Sequence, residues 1–219
     1  MKPVPFAACR GIVFDLDDTL YDRHSALVRL FESWWGPLSA DQWREIDARD
    51  ARGHSVRLEF FAFLKSRYPV PDSSAEALFA RYRQEFPRHM RAAETPAVLA
   101  RLAQTPWVQA ILTNGSSEFQ RAKYHALDLA DYIGVERLLI SGEIGRDKPD
   151  PYVFQYTCEA LGIAPQELLF VGDHPEKDIA GARAAGFATC WLQKSPHEHA
   201  EADATIQSLP ELLPLLGLD

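Results

Sequence analysis

The sequence has 219 residues, with 23 basic and 31 acidic side chains and a formal net charge of −8 when histidine is neutral. This balance argues against nucleic acid as a partner, because affinity for phosphate backbones comes mainly from clustered basic residues that displace counterions. With 47% hydrophobic and 25% charged residues, the chain has the composition of a folded globular protein rather than a disordered one. Its length suits one domain, or one domain that carries a smaller insertion.

The cysteines and the N-terminal region point to a cytoplasmic protein. Cys9, Cys158 and Cys190 lie far apart and form no C-x-x-C pair, which argues against a disulfide framework or a zinc ribbon. Arg10 and Asp15 interrupt the N-terminal region before an apolar stretch is long enough for a signal peptide. No run of the sequence approaches the ~18 apolar residues of a membrane span, so we expect no membrane partner.

Four short apolar runs end abruptly in small or polar residues, which is typical of strands that are buried on both faces of a parallel sheet. These runs are residues 11–14, 108–112, 138–140 and 168–171. Segments with helical spacing alternate with them, among them residues 97–104, 117–127, 151–161 and 176–185. The alternation predicts an α/β fold with a doubly wound, Rossmann-like parallel sheet, and such sheets bind ligands at the carboxyl ends of their strands.

One long segment interrupts the alternation. From about Tyr21 to about Arg88, amphipathic helical stretches rich in aromatic residues take the place of strands, and the aromatics are numerous enough to fill a small core. We therefore predict an α-helical insertion at 21–88 within a core formed by 1–20 and 89–219. The insertion carries a net charge of +1 and the remainder −9, so a cleft roofed by the insertion would attract an anion.

Three carboxylates follow the first predicted strand, at Asp15, Asp17 and Asp18. Like charges this close require a proton or a metal ion to compensate them. The buried-strand pattern directly before Asp15 favours a functional site over a solvated acidic turn. Asp15 and Asp17, two residues apart, suit a nucleophile that also binds a metal and a general acid and base.

Polar residues also follow the second predicted strand. Thr113 and Asn114 would direct a hydroxyl and an amide towards the same edge of the sheet. Ser117 and Gln120 fit a capping box at the start of the next helix, whose free N–H groups can bind an anion. Alone, this pattern is also that of an ordinary turn and helix cap.

Two further loops complete the candidate site. Lys148 precedes a proline, and the following Asp150 and Pro151 fit the N-cap and the first residue of a helix. A lysine in so restricted a loop can neutralise phosphate and orient carboxylates. Asp173 follows the fourth predicted strand and can join Asp15 in binding a hard cation, for which magnesium is well suited. Asp178, one turn later, can hold Lys148.

Taken together, the four motifs resemble those of the haloacid dehalogenase (HAD) superfamily, in its phosphatase branch. The motifs are GIVFDLDDT, ILTNG, DKPD and GDHPEKD, in the order of that family. The resemblance covers essentially the whole chain. It implies a HAD core, with the helical insertion between the first and second motifs acting as an α-helical cap.

The resemblance also implies roles for these residues. Asp15 would accept the phosphoryl group as an aspartyl-phosphate, and Asp17 would protonate the leaving oxygen and then activate water. Asp15, Asp173 and the backbone carbonyl of Asp17 would bind Mg²⁺.

Phosphate binding is implied for a second set of residues. Thr113 and Lys148 would hold the phosphoryl oxygens, with help from the backbone of Asn114, and Asp178 would support Lys148 and the metal shell. In the cap, Arg52 and His54 lie in a basic, glycine-containing stretch and are candidate substrate contacts.

The implied activity is that of a magnesium-dependent phosphatase that hydrolyses a small phosphorylated metabolite. Dehalogenases and phosphonate-cleaving members of the superfamily lack the aspartate at the position of Asp17, so phosphate ester chemistry is favoured over cleavage of a carbon–halogen bond. A sugar-phosphate mutase of the same fold shares these residues and stays open as an alternative. A catalytically silent protein that binds a phosphorylated metabolite is the alternative from a different class. A monomer and a homodimer are both compatible with the sequence.

Overall fold

The computed structural model describes residues 6–218. The first five residues, which belong to the predicted core segment 1–20, and residue 219 lie outside this range. The chain divides into two compact units, Met1–Asp22 with Ala92–Asp219 and, separately, Arg23–Arg91. The second unit starts and ends two to three residues later than the insertion predicted at 21–88. Within residues 6–218, no helix is both long enough and apolar enough to cross a membrane.

The first unit is built on one sheet, in which every pair of neighbouring strands is parallel. Its described strands are β1 (Gly11–Phe14), β2 (Val108–Thr113), β3 (Leu138–Ile140), β4 (Leu168–Gly172), β5 (Ala188–Leu192) and β6 (Ala204–Ile206). The strand order β3-β2-β1-β4-β5-β6 reverses direction between β1 and β4. The predicted doubly wound α/β fold is therefore confirmed, and the reversal marks the edge where such sheets bind ligands.

The helices agree with the predicted alternation. In chain order they are α1 (Arg23–Trp35), α2 (Ala40–Asp50), α3 (Arg57–Arg67), α4 (Ala75–Glu85), α5 (Thr95–Ala103), α6 (Ser117–Ala126), α7 (Ser141–Ile144), α8 (Pro151–Leu161), α9 (Gly181–Ala184) and α10 (Leu212–Leu215). Helices α1 to α4 belong to the second unit, and a π-helical turn, Pro175–Ala180, precedes α9. As predicted, α8 starts at Pro151, and the side chain of Asp150 caps it by accepting from the backbone N–H of Tyr152.

Aromatic packing holds β4 against helix α8. Phe154 of α8 meets Phe170 of β4 edge to face, with ring centroids 5.8 Å apart. Phe187, just before β5, packs against both rings. Each such pair adds about 0.5–1.5 kcal/mol beyond the burial of its area. The strand end that carries the GDHPEKD motif is thus held by a well-packed core.

The second unit has an aromatic core of its own. Phe61 of α3 stacks on Phe79 of α4 at 4.9 Å and lies 5.1 Å from the ring of Tyr82. Tyr82 in turn packs against Phe86 at 4.9 Å. These side chains act as packing for the helical unit, which is the role that the sequence predicted for most of its aromatic residues.

Candidate active site

The carboxyl ends of β1 and β4 bring three carboxylates together. Asp15 directly follows β1, and its backbone N–H donates to Val171 O at 2.9 Å, which extends the sheet ladder by one residue. Asp173 follows the last residue of β4, and its carbonyl accepts from the indole N–H of Trp191 at 2.9 Å. Carboxylate oxygens of Asp15, Asp173 and Asp178 lie within 4.8 Å of one another, and all three residues are buried.

Lys148 joins two of these carboxylates. Its Nζ lies 2.6 Å from Oδ1 of Asp15 and 2.7 Å from Oδ1 of Asp178. The other oxygen of Asp178 accepts from the backbone N–H of His174 at 3.0 Å, so the carboxylate is held from both sides. Because the ammonium group is almost fully buried, this geometry fixes its position relative to Asp15.

The site as it stands carries an excess of negative charge. Burial raises the pKa of Asp15 to about 7, and the charge of Asp178 adds to this, although Lys148 favours the ionised form. Burial disfavours the ammonium form of Lys148, but Asp15 and Asp178 outweigh this effect and raise its pKa. A further cation beside Asp15 would keep its carboxylate ionised at neutral pH.

The donor chemistry of the cluster fits magnesium. Asp15, Asp173 and Asp178 present carboxylate oxygens, the ligand type that Mg²⁺ prefers. With the ion pair between Asp17 and Lys123 described below, four carboxylates and two ammonium groups leave a formal charge of −2. A divalent cation would balance that charge.

Asp17 is held by three side chains that the sequence reasoning missed. Lys123 Nζ lies 2.7 Å from both carboxylate oxygens of Asp17. The hydroxyl of Tyr21 donates to Oδ1, and Gln120 Nε2 donates to Oδ2 at 3.1 Å. Gln120 and Lys123 are three residues apart on α6, and both are buried polar residues on the same face as the buried Tyr124. Polar residues at helical spacing on a buried face are the signal that could have identified them.

Gln120 also changes how the start of α6 is interpreted. The predicted capping box of Ser117 with Gln120 is wrong, because the N-cap is Ser116 and no side chain caps the helix there. The Ser117 hydroxyl instead donates to Glu143, and Gln120 donates to the hydroxyl of Thr113. The tertiary partners of both side chains therefore replace the local cap.

Thr113, the last residue of β2, and Asn114, which follows it, have different partners. Because the Thr113 hydroxyl oxygen accepts from an amide N–H, its own hydrogen can be donated to a further acceptor. The side-chain amide of Asn114 pairs with the backbone of Lys148, accepting from its N–H at 2.8 Å and donating to its carbonyl at 3.0 Å. The Asn114 side chain thus positions the lysine loop, while its backbone lies at the strand end beside Thr113.

The two candidate cap residues lie on a constrained turn of the second unit. Arg52 is half-buried and has φ +53°, within the short 3₁₀ turn Ala51–Gly53, and His54 follows this turn and is exposed. Asp50 holds the turn by accepting from Gly53 N–H at 3.0 Å. The Asp50 carboxylate is itself held by two arginines of this unit. Two guanidinium nitrogens of Arg23 donate to the Asp50 carboxylate oxygens at 2.6 and 3.0 Å, and one of Arg57 donates at 3.0 Å.

A doubly wound parallel sheet with buried carboxylates and a buried lysine at its carboxyl edge defines an α/β enzyme core. The profile of the haloacid dehalogenase-like hydrolase family matches residues 9–186, which is most of the chain. The chain belongs to this family of hydrolases, as the sequence motifs indicated.

Three characterised relatives share substantial sequence with the chain. Phosphoserine phosphatase of Thermus thermophilus is 41% identical over 120 residues, which are 55% of this chain and 46% of that enzyme. The chain thus spans about half the length of that relative. The pyrimidine 5'-nucleotidase YjjG of Escherichia coli is 30% identical over 94% of this chain and 96% of its own length. (S)-2-haloacid dehalogenase 4A of Burkholderia cepacia is 29% identical, over 95% of each chain.

Solved structures share the architecture. The HAD-hydrolase YfnB of Bacillus subtilis, in a crystal form bound to magnesium, superposes with a TM-score of 0.76 at 25% identity. The superposition covers 96% of this chain and 99% of that protein. The similarity extends over both units of the chain and is not restricted to the sheet.

Proposed function

We propose that the protein is a magnesium-dependent phosphatase that hydrolyses a small phosphorylated metabolite through an aspartyl-phosphate on Asp15. The observation that carries this proposal is the pairing of two differently held carboxylates at one strand end. Asp15 is buried against Lys148, and Asp17, two residues later, is bound by Lys123. Two phosphatases, a phosphoserine phosphatase and a nucleotidase, among the characterised relatives support the same chemistry.

Substrate binding uses the groups that meet at the sheet edge. The phosphoryl oxygens accept hydrogen bonds from the Lys148 ammonium and from the Thr113 hydroxyl, whose hydrogen is available because its oxygen accepts from Gln120. The backbone N–H of Asn114 adds a further donor. Asp178 keeps the ammonium group of Lys148 beside Asp15, so that phosphate and nucleophile share one positive charge.

The reaction divides into two displacements at phosphorus. In the first, an oxygen of Asp15 forms a bond to phosphorus while the ester P–O bond breaks, and Asp17 donates a proton to the leaving oxygen. In the second, Asp17 takes a proton from water as the water oxygen attacks phosphorus, and the bond to Asp15 breaks. Two steps with a positioned acid and base replace one difficult displacement.

The magnesium ion is held by Asp15, Asp173 and the backbone carbonyl of Asp17 in this proposal, with Asp178 supporting the shell. When bound, it supplies positive charge that offsets the carboxylates and the phosphoryl oxygens. The fit of the three clustered carboxylates to a hard divalent cation supports this assignment. The magnesium in the similar B. subtilis protein is consistent with it.

The second unit acts as a cap that selects the substrate. Arg52 and His54 are the proposed substrate contacts there, and Asp50 holds the turn beside which they lie. The net charge of +1 on residues 21–88, against −9 on the remainder, supports attraction of an anionic substrate to this unit. We place the protein in the cytoplasm, as a monomer or a homodimer.

The test is a screen of phosphorylated metabolites that measures release of inorganic phosphate with and without magnesium. Wild-type protein should release phosphate only with the metal, and the Asp15→Asn variant should release none while keeping its fold. Chloride release from a 2-chloro acid would instead support dehalogenase activity. An isomerised sugar phosphate without free phosphate would support a mutase. Retained magnesium-dependent phosphate release by folded Asp15→Asn would contradict the proposal.

A further inference from the structure

The acid and base carboxylate of the proposed reaction is surrounded by hydrogen-bond donors of its own unit. A carboxylate offers about four acceptor positions, two on each oxygen. On Asp17, Oδ1 accepts from Tyr21 and Lys123, and Oδ2 accepts from Gln120 and Lys123. Each oxygen therefore accepts from two side chains, and the orientation of the carboxylate plane is fixed. Because one ammonium group serves both oxygens, Lys123 can bind one of them while the other carries a proton.

Helix α6 supplies two of these donors from its buried face. Gln120 and Lys123 are 1% and 5% exposed, although neither residue type is usually buried. The ammonium group of Lys123 also lies 4.5 Å from the centre of the Phe119 ring, a cation–π contact on the same helix. Burying a lysine is unfavourable unless a carboxylate compensates it, and here the compensating group is Asp17.

Gln120 connects this carboxylate to the phosphate-binding strand end. Its Nε2 has two hydrogens, one donated to Asp17 Oδ2 and the other to the Thr113 hydroxyl. The distance between the hydroxyl that would hold a phosphoryl oxygen and the carboxylate that would protonate the leaving oxygen is thus set by one amide group.

We infer that Lys123 and Gln120 are positioning residues that orient Asp17 for proton transfer to the leaving oxygen. This inference rests on the proposed function, and it adds two residues of α6 to the machinery of the reaction. Lys123 fixes the plane of the carboxylate, and Gln120 fixes its distance from Thr113. Neither residue needs to touch the substrate.

The inference predicts an effect that depends on the leaving group. An alkyl phosphate needs a proton on its leaving oxygen, whereas a dinitrophenolate leaves without one. Proton transfer by a positioned group contributes about 10²–10⁴ in rate. If Asp17 loses its orientation, kcat/KM should therefore fall far more for the alkyl ester than for the dinitrophenyl ester. This parameter reports the steps up to departure of the alcohol.

The experiment compares wild type, Lys123→Met and Gln120→Leu on a simple alkyl phosphate and on dinitrophenyl phosphate, with magnesium. For Lys123→Met we expect kcat/KM of the alkyl ester to fall about 100-fold and that of the dinitrophenyl ester by no more than about threefold. Because Asp17 also acts as the base in the second step, kcat for the dinitrophenyl ester should fall and a burst of dinitrophenol should appear. Gln120→Leu should show the same dependence on the leaving group, with smaller losses of kcat/KM.

Lys65→Met is the matched control, because it removes a half-buried ammonium group from α3 in the second unit. This variant should leave kcat/KM unchanged for both esters. Equal losses of kcat/KM on the two esters, in folded Lys123→Met and Gln120→Leu, would indicate a merely structural role and overturn the inference alone. Unchanged kinetics would also overturn it. A wild-type protein that hydrolyses neither ester would overturn the proposed function, and the inference with it.

Discussion

Gly172, the last residue of β4, leaves room for Asp178, and adding a single methyl group there should disrupt the site. A Cβ atom at position 172 would lie 2.6 Å from both Cβ and Cγ of Asp178, whereas ordinary contact begins at 3.4 Å. Asp178 is 2% exposed and is bound to Lys148 and to the backbone of His174, so it has little freedom to move away. The Gly172→Ala variant therefore displaces a carboxylate that holds Lys148.

The size of the effect follows from these distances. The carboxyl group must shift by about 0.8 Å, which would lengthen the 2.7 Å contact between Lys148 and Asp178 to about the limit for a hydrogen bond. Overpacking costs about 1–3 kcal/mol, and a lost hydrogen bond to a charged group costs about 1.5–3 kcal/mol. Because moving the carboxyl group relieves the overlap at the expense of the hydrogen bond, the two costs do not add in full. We expect the free energy of unfolding to fall by about 2–4 kcal/mol and kcat/KM by at least about tenfold.

Gly134→Ala is the matched control. Its φ of −59° suits alanine, and the atoms in the way belong to the carboxylate of Glu136, whose side chain is 67% exposed and can move aside. Denaturant unfolding and steady-state kinetics would be measured on both variants. If Gly172→Ala matches Gly134→Ala in unfolding free energy and in kcat/KM, the reasoning about Asp178 is refuted.

Two further predictions concern charge. Burial opposes ionisation of Asp50, but Arg23 and Arg57 outweigh it and lower its pKa. Asp50→Ala should therefore reduce the free energy of unfolding by about 3–5 kcal/mol at neutral pH. Asp47→Ala, which removes a half-exposed carboxylate of the same helix, should change it by about 0–1 kcal/mol. Because the folded-state pKa of Asp50 is depressed, its contribution is present above the unfolded value of about 4 and is lost as the pH falls through the folded value. If the difference in unfolding free energy between wild type and Asp50→Ala stays undiminished at low pH, this reasoning is contradicted. Magnesium should raise the melting temperature of the wild type, since a ligand at 100 times its Kd stabilises the folded protein by about 2.7 kcal/mol. In Asp173→Asn, magnesium should raise the melting temperature much less. An equal rise in both proteins would place the metal elsewhere.

The sheet shows which strands a sequence can reveal. The runs that form β1 to β4 are mostly apolar, because nearly all of their residues are buried on both faces of the sheet, and they were predicted almost to the residue. Strand β5 was not predicted; its buried Thr189 is polar, and only the structure shows that its hydroxyl donates to Asp203. Strand β6 has only three residues, of which Ile206 alone is buried, so it has no apolar run to reveal it.

Only some of the polar residues of the candidate site could be predicted from the sequence. Asp15 and Asp173 directly follow strands, and Lys148 lies in a loop restricted by proline. The spacing of the motifs was therefore enough to predict that all three meet at one edge of the sheet. Lys123 and Gln120 lie within a helix, and their partner Asp17 is more than 100 residues away along the chain. Helical spacing could mark them as buried polar residues, but only their hydrogen bonds in the folded chain show that they serve the carboxylate of Asp17.

The central claim is that Asp15 carries the phosphoryl group between the two steps. The most direct measurement is mass spectrometry of the Asp17→Asn variant, quenched in acid after mixing with dinitrophenyl phosphate and magnesium. Without the carboxylate that activates water, the second step should be slow, and we predict one phosphoryl group on the peptide that contains Asp15. A phosphoryl group on another residue, or turnover of the ester with Asp15 never modified, would contradict the account.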